Sequence, residues 1–583
     1  MPEARSRRLL VAIAITYAVA ALFLPKATFW SNDGGEKLLQ VKEIVRSGPG
    51  LPAIPYDSLG VEATGSFRFS PIAPNHAAPE GERLVPVVPL YFPLLSALPY
   101  RALGAAGLYL VPLASALLAL WFVLRIAERM LDSDAGFFCL AATGLASSVA
   151  FYALTFWEHT LAAAACTAGL YLLCGAEGGL RQERGVAAAA GVALALGAWV
   201  RGEVLIVIVA LSTALLLRRD GRRVLPFLLA GVVAGLTPFW VCNSLVYGHA
   251  FGPQIAGSEA FRQDSLAGSL GVVAERRWEI VRGLFLDYGF GVAPGVALAL
   301  ASIATPVWLA RSRPERFRNR ARLWLAASIA VAALSLLRSL TRSDLSLASI
   351  HHTPLWVALP VLPLAFLRPR ASEATARERF ADLLLATALL ALAGLALGLP
   401  SRGGLQWGPR YALVLFPLLV LCAGRGYQLL VGRAPGLRVL CWGLVAVGML
   451  VQIAGVALLA HKKRASAEML ASIRAMAPAA VVTDVWWLPE DAADLYHEIP
   501  VYGFDSGEEF GRLLLRLREL GHTRIVLASR RDFRRAFESL DGVELTASRQ
   551  LRPARLASFN LNLHLLRLGP RPQGTGRLPP TQP

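Results

Sequence analysis

Charge is scarce in this sequence. Only 17% of its 583 residues are Asp, Glu, Lys or Arg and 55% are hydrophobic, where an ordinary soluble domain carries about 25% charged residues. With a mean hydropathy of +0.50, a string of soluble domains is excluded and most of the chain must lie in lipid. Acidic residues are the scarcer sign: 40 Asp and Glu stand against 58 Lys and Arg, for a net charge of +18. A basic excess that binds nucleic acid is gathered on one face. Here it is divided between apolar runs, as Arg218, Arg219, Arg222 and Arg223, and again as Arg311, Arg313, Arg316, Arg318, Arg320 and Arg322. That is the pattern of cytoplasmic loops and excludes nucleic acid as a partner. Cysteine is rare too. Cys139, Cys166, Cys174, Cys242, Cys422 and Cys441 all fall inside apolar segments, so no disulfide or cysteine metal framework is implied. Acidic residues are nearly missing from the centres of the apolar runs, which argues against an ion-coupled transporter, because coupling ions need ionisable ligands near the bilayer midplane. No internal repeat is visible. The amino terminus, Arg5, Arg7 and Arg8 followed by Leu9 to Leu24, has no small-residue cleavage site after it and reads as a retained anchor.

What the sequence does contain is a series of apolar runs of about 17 to 25 residues, long enough to cross roughly 30 Å of hydrocarbon. About thirteen emerge, near 9–25, 107–126, 135–152, 158–175, 185–200, 204–217, 224–245, 291–310, 323–338, 354–367, 380–399, 411–424 and 439–460. Counting Lys and Arg in the short loops places the amino terminus inside. An odd number of spans then carries everything after His461 outside. The expected fold is an α-helical polytopic membrane protein of a bacterial inner membrane, with about thirteen transmembrane helices and a small carboxy-terminal α/β extracytoplasmic domain. The transmembrane domain covers 1–460, with a first outer loop at about 26–106, the soluble domain covers 461–570, and a disordered tail, rich in Gly and Pro, covers 571–583. In the soluble part, Ala480 to Trp486 and Thr523 to Ala528 have strand patterning. Between them, Phe510, Leu513, Leu514, Leu517 and Leu520 have helical spacing.

Polar residues gather at the outer ends of the expected helices. Asp33 and Glu36 follow the first span, Glu158 and His159 lie at the turn between the third and fourth, and Arg201 and Glu203 at the turn between the fifth and sixth. His351, His352, Arg402, Trp407 and Arg410 lie at later outer turns. Carboxylates combined with Arg at that depth suit a reaction on a lipid phosphate: a carboxylate takes a proton from an acceptor hydroxyl and a guanidinium holds the leaving phosphate with two hydrogen bonds. Each residue also has a plainer account. Asp33 would solvate a loop, Glu158 would be an interfacial turn residue, and Arg410 would anchor a helix end at the headgroups.

Two segments narrow the choice. Pro89-Leu90-Tyr91-Phe92-Pro93-Leu94-Leu95, leading to Leu103-Gly104, closes the first outer loop, and Gly403-Gly404-Leu405-Gln406-Trp407-Gly408-Pro409-Arg410-Tyr411 precedes a late span. With an inside amino terminus, an acidic motif directly after the first span and about a dozen spans, the chain resembles the GT-C class of polytopic glycosyltransferases, particularly the aminoarabinose transferase and protein O-mannosyltransferase relatives. The resemblance implies transfer of a sugar, hexosyl or pentosyl, from a polyprenyl-phosphate donor to an envelope lipid, glycan or protein acceptor on the periplasmic side. It assigns the catalytic carboxylate to Asp33 and, by position, a second one to Glu158; from their places at the outer helix ends, Arg201 and Arg410 are the candidates for phosphate, and Glu36, His159 and Trp407 are further candidates for substrate binding. No metal motif is visible, and a divalent cation stays open because members of the class differ in using one. One departure is plain: members often carry Asp-Glu adjacent, whereas Gly34 and Gly35 separate Asp33 from Glu36 here. The competing classes are a transporter or flippase of a lipid-linked or small-molecule substrate and a non-catalytic envelope scaffold.

Overall fold

A computed structural model describes the chain apart from residues 1, 49–52, 55, 57–59, 64, 73–75, 81–82, 253–269, 287–299, 301–303, 306–308, 310–313, 342–353, 368–374, 400–405, 534–541, 555 and 570–583. Backbone polar groups in hydrocarbon must be satisfied within their own segment, which makes apolar runs helical. Among the described residues, seven helices are long and apolar enough to cross a membrane: Ala4–Phe23, Tyr91–Met130, Gly221–Tyr247, Arg316–Arg338, Ala376–Gly398, Arg410–Arg433 and Pro435–Ala475. Three shorter apolar helices, His159–Leu173, Arg184–Val200 and Glu203–Leu216, accompany them among the described residues. Leu22, Phe23, Leu217, Leu245 and Val439 are each at least 74% exposed, an arrangement suited to lipid rather than water. The chain is a mostly helical, multi-pass membrane protein with a small sheet.

Two of the expected spans are broken, for local reasons. The run at 135–152 divides into the helices Ser133–Gly144 and Val149–Ala153. At the break the Ser147 hydroxyl donates back to the Thr143 carbonyl and accepts the Val149 N–H, so a side chain replaces helical backbone bonding. The run at 354–367 holds only the helix Leu355–Ala358 and the 3-10 turn Leu362–Phe366, because Pro360 and Pro363 remove the donors a continuous helix needs. The run at 291–310 falls almost wholly outside the described residues, as does the expected disordered tail at 571–583.

The chain forms two compact units. The first comprises Met1–Phe23, Leu108–Arg342 and Ala348–Leu458. Its helices meet through small residues: a Cβ on Gly191 would lie 2.1 Å from the Leu228 carbonyl oxygen, and one on Gly231 only 1.9 Å from that of Ala188. The helices Arg184–Val200 and Gly221–Tyr247 therefore touch backbone to backbone, the close approach on which helix association in lipid depends.

The second unit comprises Leu24–Gly107, Ser343–Leu347 and Leu459–Pro583. It contains the helix Asn32–Ser47 and an antiparallel hairpin, β1 (Ala77–Glu80) and β2 (Arg83–Pro86). It also contains β3 (Ala480–Thr483), β4 (Val501–Gly503), β5 (Arg524–Ser529), β6 (Val543–Leu551) and β7 (Leu561–Leu568). These five form one sheet in the order β4-β3-β5-β7-β6, parallel from β4 to β5 and antiparallel beyond. The helix Gly507–Glu519 is capped by Ser506, which accepts the Glu509 N–H, and buries Phe510, Leu513, Leu514 and Leu517 against the sheet. β5 and this helix lie where the sequence pattern puts them, and β3 covers Ala480–Thr483 of the strand expected from Ala480 to Trp486. Val61 and Phe69, from the loop between the helices Asn32–Ser47 and Tyr91–Met130, enter the same core beside Val482, Tyr502 and Leu527, and the Gly503 N–H donates to the Phe69 carbonyl at 3.0 Å. The loop and the tail thus share one hydrophobic interior.

Candidate active site

In the first unit the turn that ends the helix Arg184–Val200 and opens Glu203–Leu216 buries an ionic triad. Arg201 Nη1 donates to Glu158 Oε1 at 2.9 Å and its Nε to Glu203 Oε1 at 2.9 Å, with Nη2 2.7 Å from that same oxygen in an ion pair. Glu158, Arg201 and Glu203 are 1%, 4% and 7% exposed. In so dry a setting charges persist only when paired, and Arg201 is the partner that both carboxylates share. Tyr411 links this group to the next. Its ring lies 5.5 Å from the Arg201 guanidinium carbon and 5.0 Å from that of Arg410, while Arg410 also covers the Trp157 ring at 4.9 Å. Arg410 Nη2 donates to the Tyr411 hydroxyl at 3.2 Å, and its backbone N–H to Gln406 Oε1 at 3.3 Å. Both guanidinium groups therefore sit on aromatic faces at the ends of apolar helices, where cation–π attraction supplements ordinary solvation.

Trp407 is a wall of this region. Its indole N–H donates to Gln452 Oε1 at 3.2 Å, its backbone N–H to the Tyr152 hydroxyl at 3.3 Å, and Gly455 lies flush against its ring. Gly408 turns the chain between Trp407 and Arg410 with φ of 70°, a left-handed conformation suited to glycine. His159 is fully buried, with its ring edge-on to both Tyr152 and Trp157 at 5.1 Å.

Asp33 and Glu36 belong to the second unit, on the helix Asn32–Ser47, where an acidic first turn suits the helix dipole. Glu36 and Glu490, 2% and 0% exposed, flank the His76 ring. Glu36 Oε1 lies 2.5 Å and Glu490 Oε1 2.6 Å from Nδ1. Burial works against an imidazolium, but the hydrogen bonds and charges of the two carboxylates outweigh it and push His76 up to about 11. Burial, reinforced by the Glu36 and Asp33 charges and opposed by His76, raises Glu490 to about 8. The two glycines explain the separation of Asp33 from Glu36. A Cβ on Gly35 would stand 1.9 Å from the Glu490 carbonyl oxygen, and one on Gly34 would stand 2.7 Å from the Phe29 side chain, so only glycine lets this helix approach so closely. Beside the cluster, Lys462 donates to both oxygens of Asp491, at 2.6 and 2.7 Å, and to the Phe29 carbonyl at 2.7 Å.

No family model and no curated protein matches the chain, whereas solved structures do. ArnT from Cupriavidus metallidurans bound to undecaprenyl phosphate is 15% identical, with 96% of this chain and 97% of that one covered and a TM-score of 0.47. The Archaeoglobus fulgidus oligosaccharyltransferase tethered with an acceptor peptide is 11% identical, with 89% and 68% covered and a TM-score of 0.45. Arabinofuranosyltransferase AftD from Mycobacteria is 14% identical, with 97% and 40% covered and a TM-score of 0.42. The chain is similar to solved GT-C glycosyltransferases.

Of the residues singled out in the sequence, Glu158, His159, Arg201, Trp407 and Arg410 are assembled in the first unit, and Asp33 and Glu36 lie together in the second. His351, His352, Arg402 and the segment Gly403 to Leu405 lie outside the described residues. Sequence reasoning left out Tyr411, Trp157, Tyr152 and Gln406, although Tyr411 and Gln406 sit within the quoted Gly-Pro-Arg-Tyr segment. Glu203 was noted at its turn but not as the second partner of Arg201. His76 and Glu490 carried no local signal. Chemically, the first unit offers a buried guanidinium among aromatic rings and a carboxylate held by a second guanidinium. The second unit offers the half-buried carboxylate of Asp33.

Proposed function

We propose that this chain is a membrane glycosyltransferase that moves a sugar from a polyprenyl-phosphate donor to an envelope acceptor on the periplasmic face of a bacterial inner membrane. Its amino terminus would be cytoplasmic and its tail periplasmic. The observation that carries this reading is the pair of guanidinium groups, Arg201 and Arg410, buried about Tyr411 in an apolar helical unit. Ionisable groups at such positions are expensive and mark substrate paths. The two differ in their roles. Arg201 is engaged by Glu158 and Glu203 and orients Glu158, whereas Arg410, framed by Trp157 and Tyr411, takes the donor phosphate. His159 and Trp407 shape the wall that holds these groups.

In the reaction, Asp33 accepts the proton of the acceptor hydroxyl as that oxygen bonds to the anomeric carbon. The bond from that carbon to the phosphate oxygen breaks, and the electron pair leaves with the polyprenyl phosphate. The charge growing on that phosphate is what Arg410 stabilises, a contribution larger in the transition state than in the ground state. Lysine keeps the charge but loses the planar fork. Arg410→Lys is therefore expected to lower kcat by about 10²–10³ with a smaller change in KM, measured as polyprenyl phosphate released by the purified chain from a synthetic polyprenyl-phosphate sugar. A variant within about twofold of wild type, far inside that range, would remove Arg410 from the chemistry.

A further inference from the structure

We propose that the first unit holds the phosphate headgroup of an anionic phospholipid in a cleft at which three apolar helices begin. The cleft measures about 430 Å³ and lies between the turn from Gly175 to Glu183, the short loop of Arg218 and Asp220, and the opening turns of the helix Ala376–Gly398. Arg184–Val200, Gly221–Tyr247 and Ala376–Gly398 are the helices that start here. The latter two are long and apolar enough to cross a membrane, so the cleft lies where apolar helix gives way to basic loop, the depth of lipid headgroups. Sugar transfer is not needed for such a site, only a lipid surface.

The chemistry of the lining suits a phosphate. Arg181, Arg218 and Arg379 line the cleft. Arg218 Nε is buried without a hydrogen bond among the described residues, and Asp220 Oδ1, at 3.4 Å, is an ion-pair partner only. A buried donor left open is costly, and a phosphate oxygen would satisfy it. Arg181 gives its Nε to Glu183 at 3.0 Å, which leaves the terminal nitrogens of its planar fork for a second phosphate oxygen. The amino ends of three helices bring partial positive charge to the same place. Glu177, Glu183 and Asp220 also line the cleft, but the surrounding charge is basic: residues 175–184, 218–223 and 375–380 together hold eight Arg against four Asp and Glu. Phe380 and Leu383 supply an apolar wall. Glycerol and acyl carbons can cover that wall, whereas a free phosphate leaves it bare, which favours a lipid as the source.

The backbone around the cleft is held in place. The Gly175 N–H donates to the Gly179 carbonyl at 2.7 Å and closes the turn. Arg129 Nη1 donates to the Cys174 carbonyl at 2.5 Å, and Arg377 Nε to the Glu177 carbonyl at 3.2 Å, so two helices grip that turn. Gly178 has φ of 78°, and a Cβ there would stand 2.5 Å from the Arg129 carbonyl oxygen, so the turn sits as close as glycine allows. On the other walls, Asp220 Oδ1 accepts the Gly221 N–H at 3.1 Å, and the Thr375 hydroxyl accepts the Glu378 N–H at 3.3 Å. The segments that carry Arg181, Arg218 and Arg379 are thus positioned before a lipid arrives, which lowers the cost of binding one.

The test uses the full chain purified in detergent and stripped of lipid, with phosphatidylglycerol added in mixed micelles and bound lipid read by native mass spectrometry. Phosphatidylcholine serves as the lipid without net charge and inorganic phosphate as the free anion. The expected results are saturable binding of phosphatidylglycerol, at least about tenfold tighter than phosphatidylcholine and weakened by salt, and a thermal midpoint that rises with it. Arg181→Gln and Arg218→Gln should each weaken that binding by about tenfold, the loss of one charge-assisted hydrogen bond. Arg549→Ala, which removes an exposed ion pair with Glu468, should bind as wild type does. Equal binding of the two lipids, equal thermal protection by inorganic phosphate, or binding unchanged by Arg218→Gln overturns the proposal. The lipid preference of the wild type needs no variant, so misfolding of a substituted chain cannot obscure the answer.

Discussion

Arg201→Ala is expected to destabilise the helical unit more than any other single side-chain truncation near the site. The substitution leaves Glu158 and Glu203, at most 7% exposed, without the guanidinium that both contact. Breaking a buried ion pair from one side costs on the order of 3–5 kcal/mol, because the remaining charge keeps its desolvation penalty and loses its partner. The measurement is denaturation of the purified chain in detergent, read as a lowered midpoint and loss of a monodisperse peak. The decisive comparison is a triple variant, Arg201→Met with Glu158→Gln and Glu203→Gln, which removes all three charges together. It should recover most of the lost stability while remaining inactive. If the single variant lies within about 1 kcal/mol of wild type, the triad is not the buried ionic unit argued for above.

The second large effect is expected at a glycine. Gly35→Ala places a methyl group 1.9 Å from the Glu490 carbonyl oxygen, and because that atom is backbone the helix Asn32–Ser47 must move as a body. Forced repacking of this kind costs about 1–3 kcal/mol. It also shifts Asp33 and Glu36, which ride on the same helix, and a displacement near 1 Å at a reacting group lowers a rate by about 10². Gly35→Ala should therefore lose transfer activity by about that factor, and Gly185→Ala serves as the control. A Cβ at Gly185 meets nothing within 4 Å, and alanine is the better helix former there. Equal activity in the two variants would show that the close approach at Gly35 does not position the site.

These two residues also mark how far the sequence could be read. The apolar runs were legible because lipid permits little besides a helix. The tail strands were legible because period-two and period-3.6 patterns differ over a few residues, and β3, β5 and the helix Gly507–Glu519 lie where those patterns put them. The breaks at Ser147 and between Pro360 and Pro363 were missed because hydropathy averages over side-chain bonds and missing donors. Glu158 and Arg201 were found separately, each as a polar residue at a helix end, but their pairing depends on packing between helices that no spacing encodes. Gly34 and Gly35 looked like an interruption of an acidic motif and prove to be what lets the helix reach Glu490. Glu490 itself was invisible. It sits in a short helix, Leu488–Asp491, far along the chain from Glu36 and His76, and only the folded second unit brings the three together. Trp407, expected to bind substrate, has its indole and backbone N–H groups engaged by Gln452 and Tyr152, a pairing that sequence spacing does not encode.

The measurement that bears most directly on sugar transfer is product analysis with the purified chain in liposomes, given a labelled polyprenyl-phosphate sugar and an envelope extract as acceptor source. The predicted result is release of polyprenyl phosphate matched by label in an acceptor, with Asp33→Asn slower by about 10²–10⁴, the range for loss of a general base. Movement of the labelled lipid or a solute across the bilayer with no polyprenyl phosphate released, or full transfer by Asp33→Asn, would contradict it.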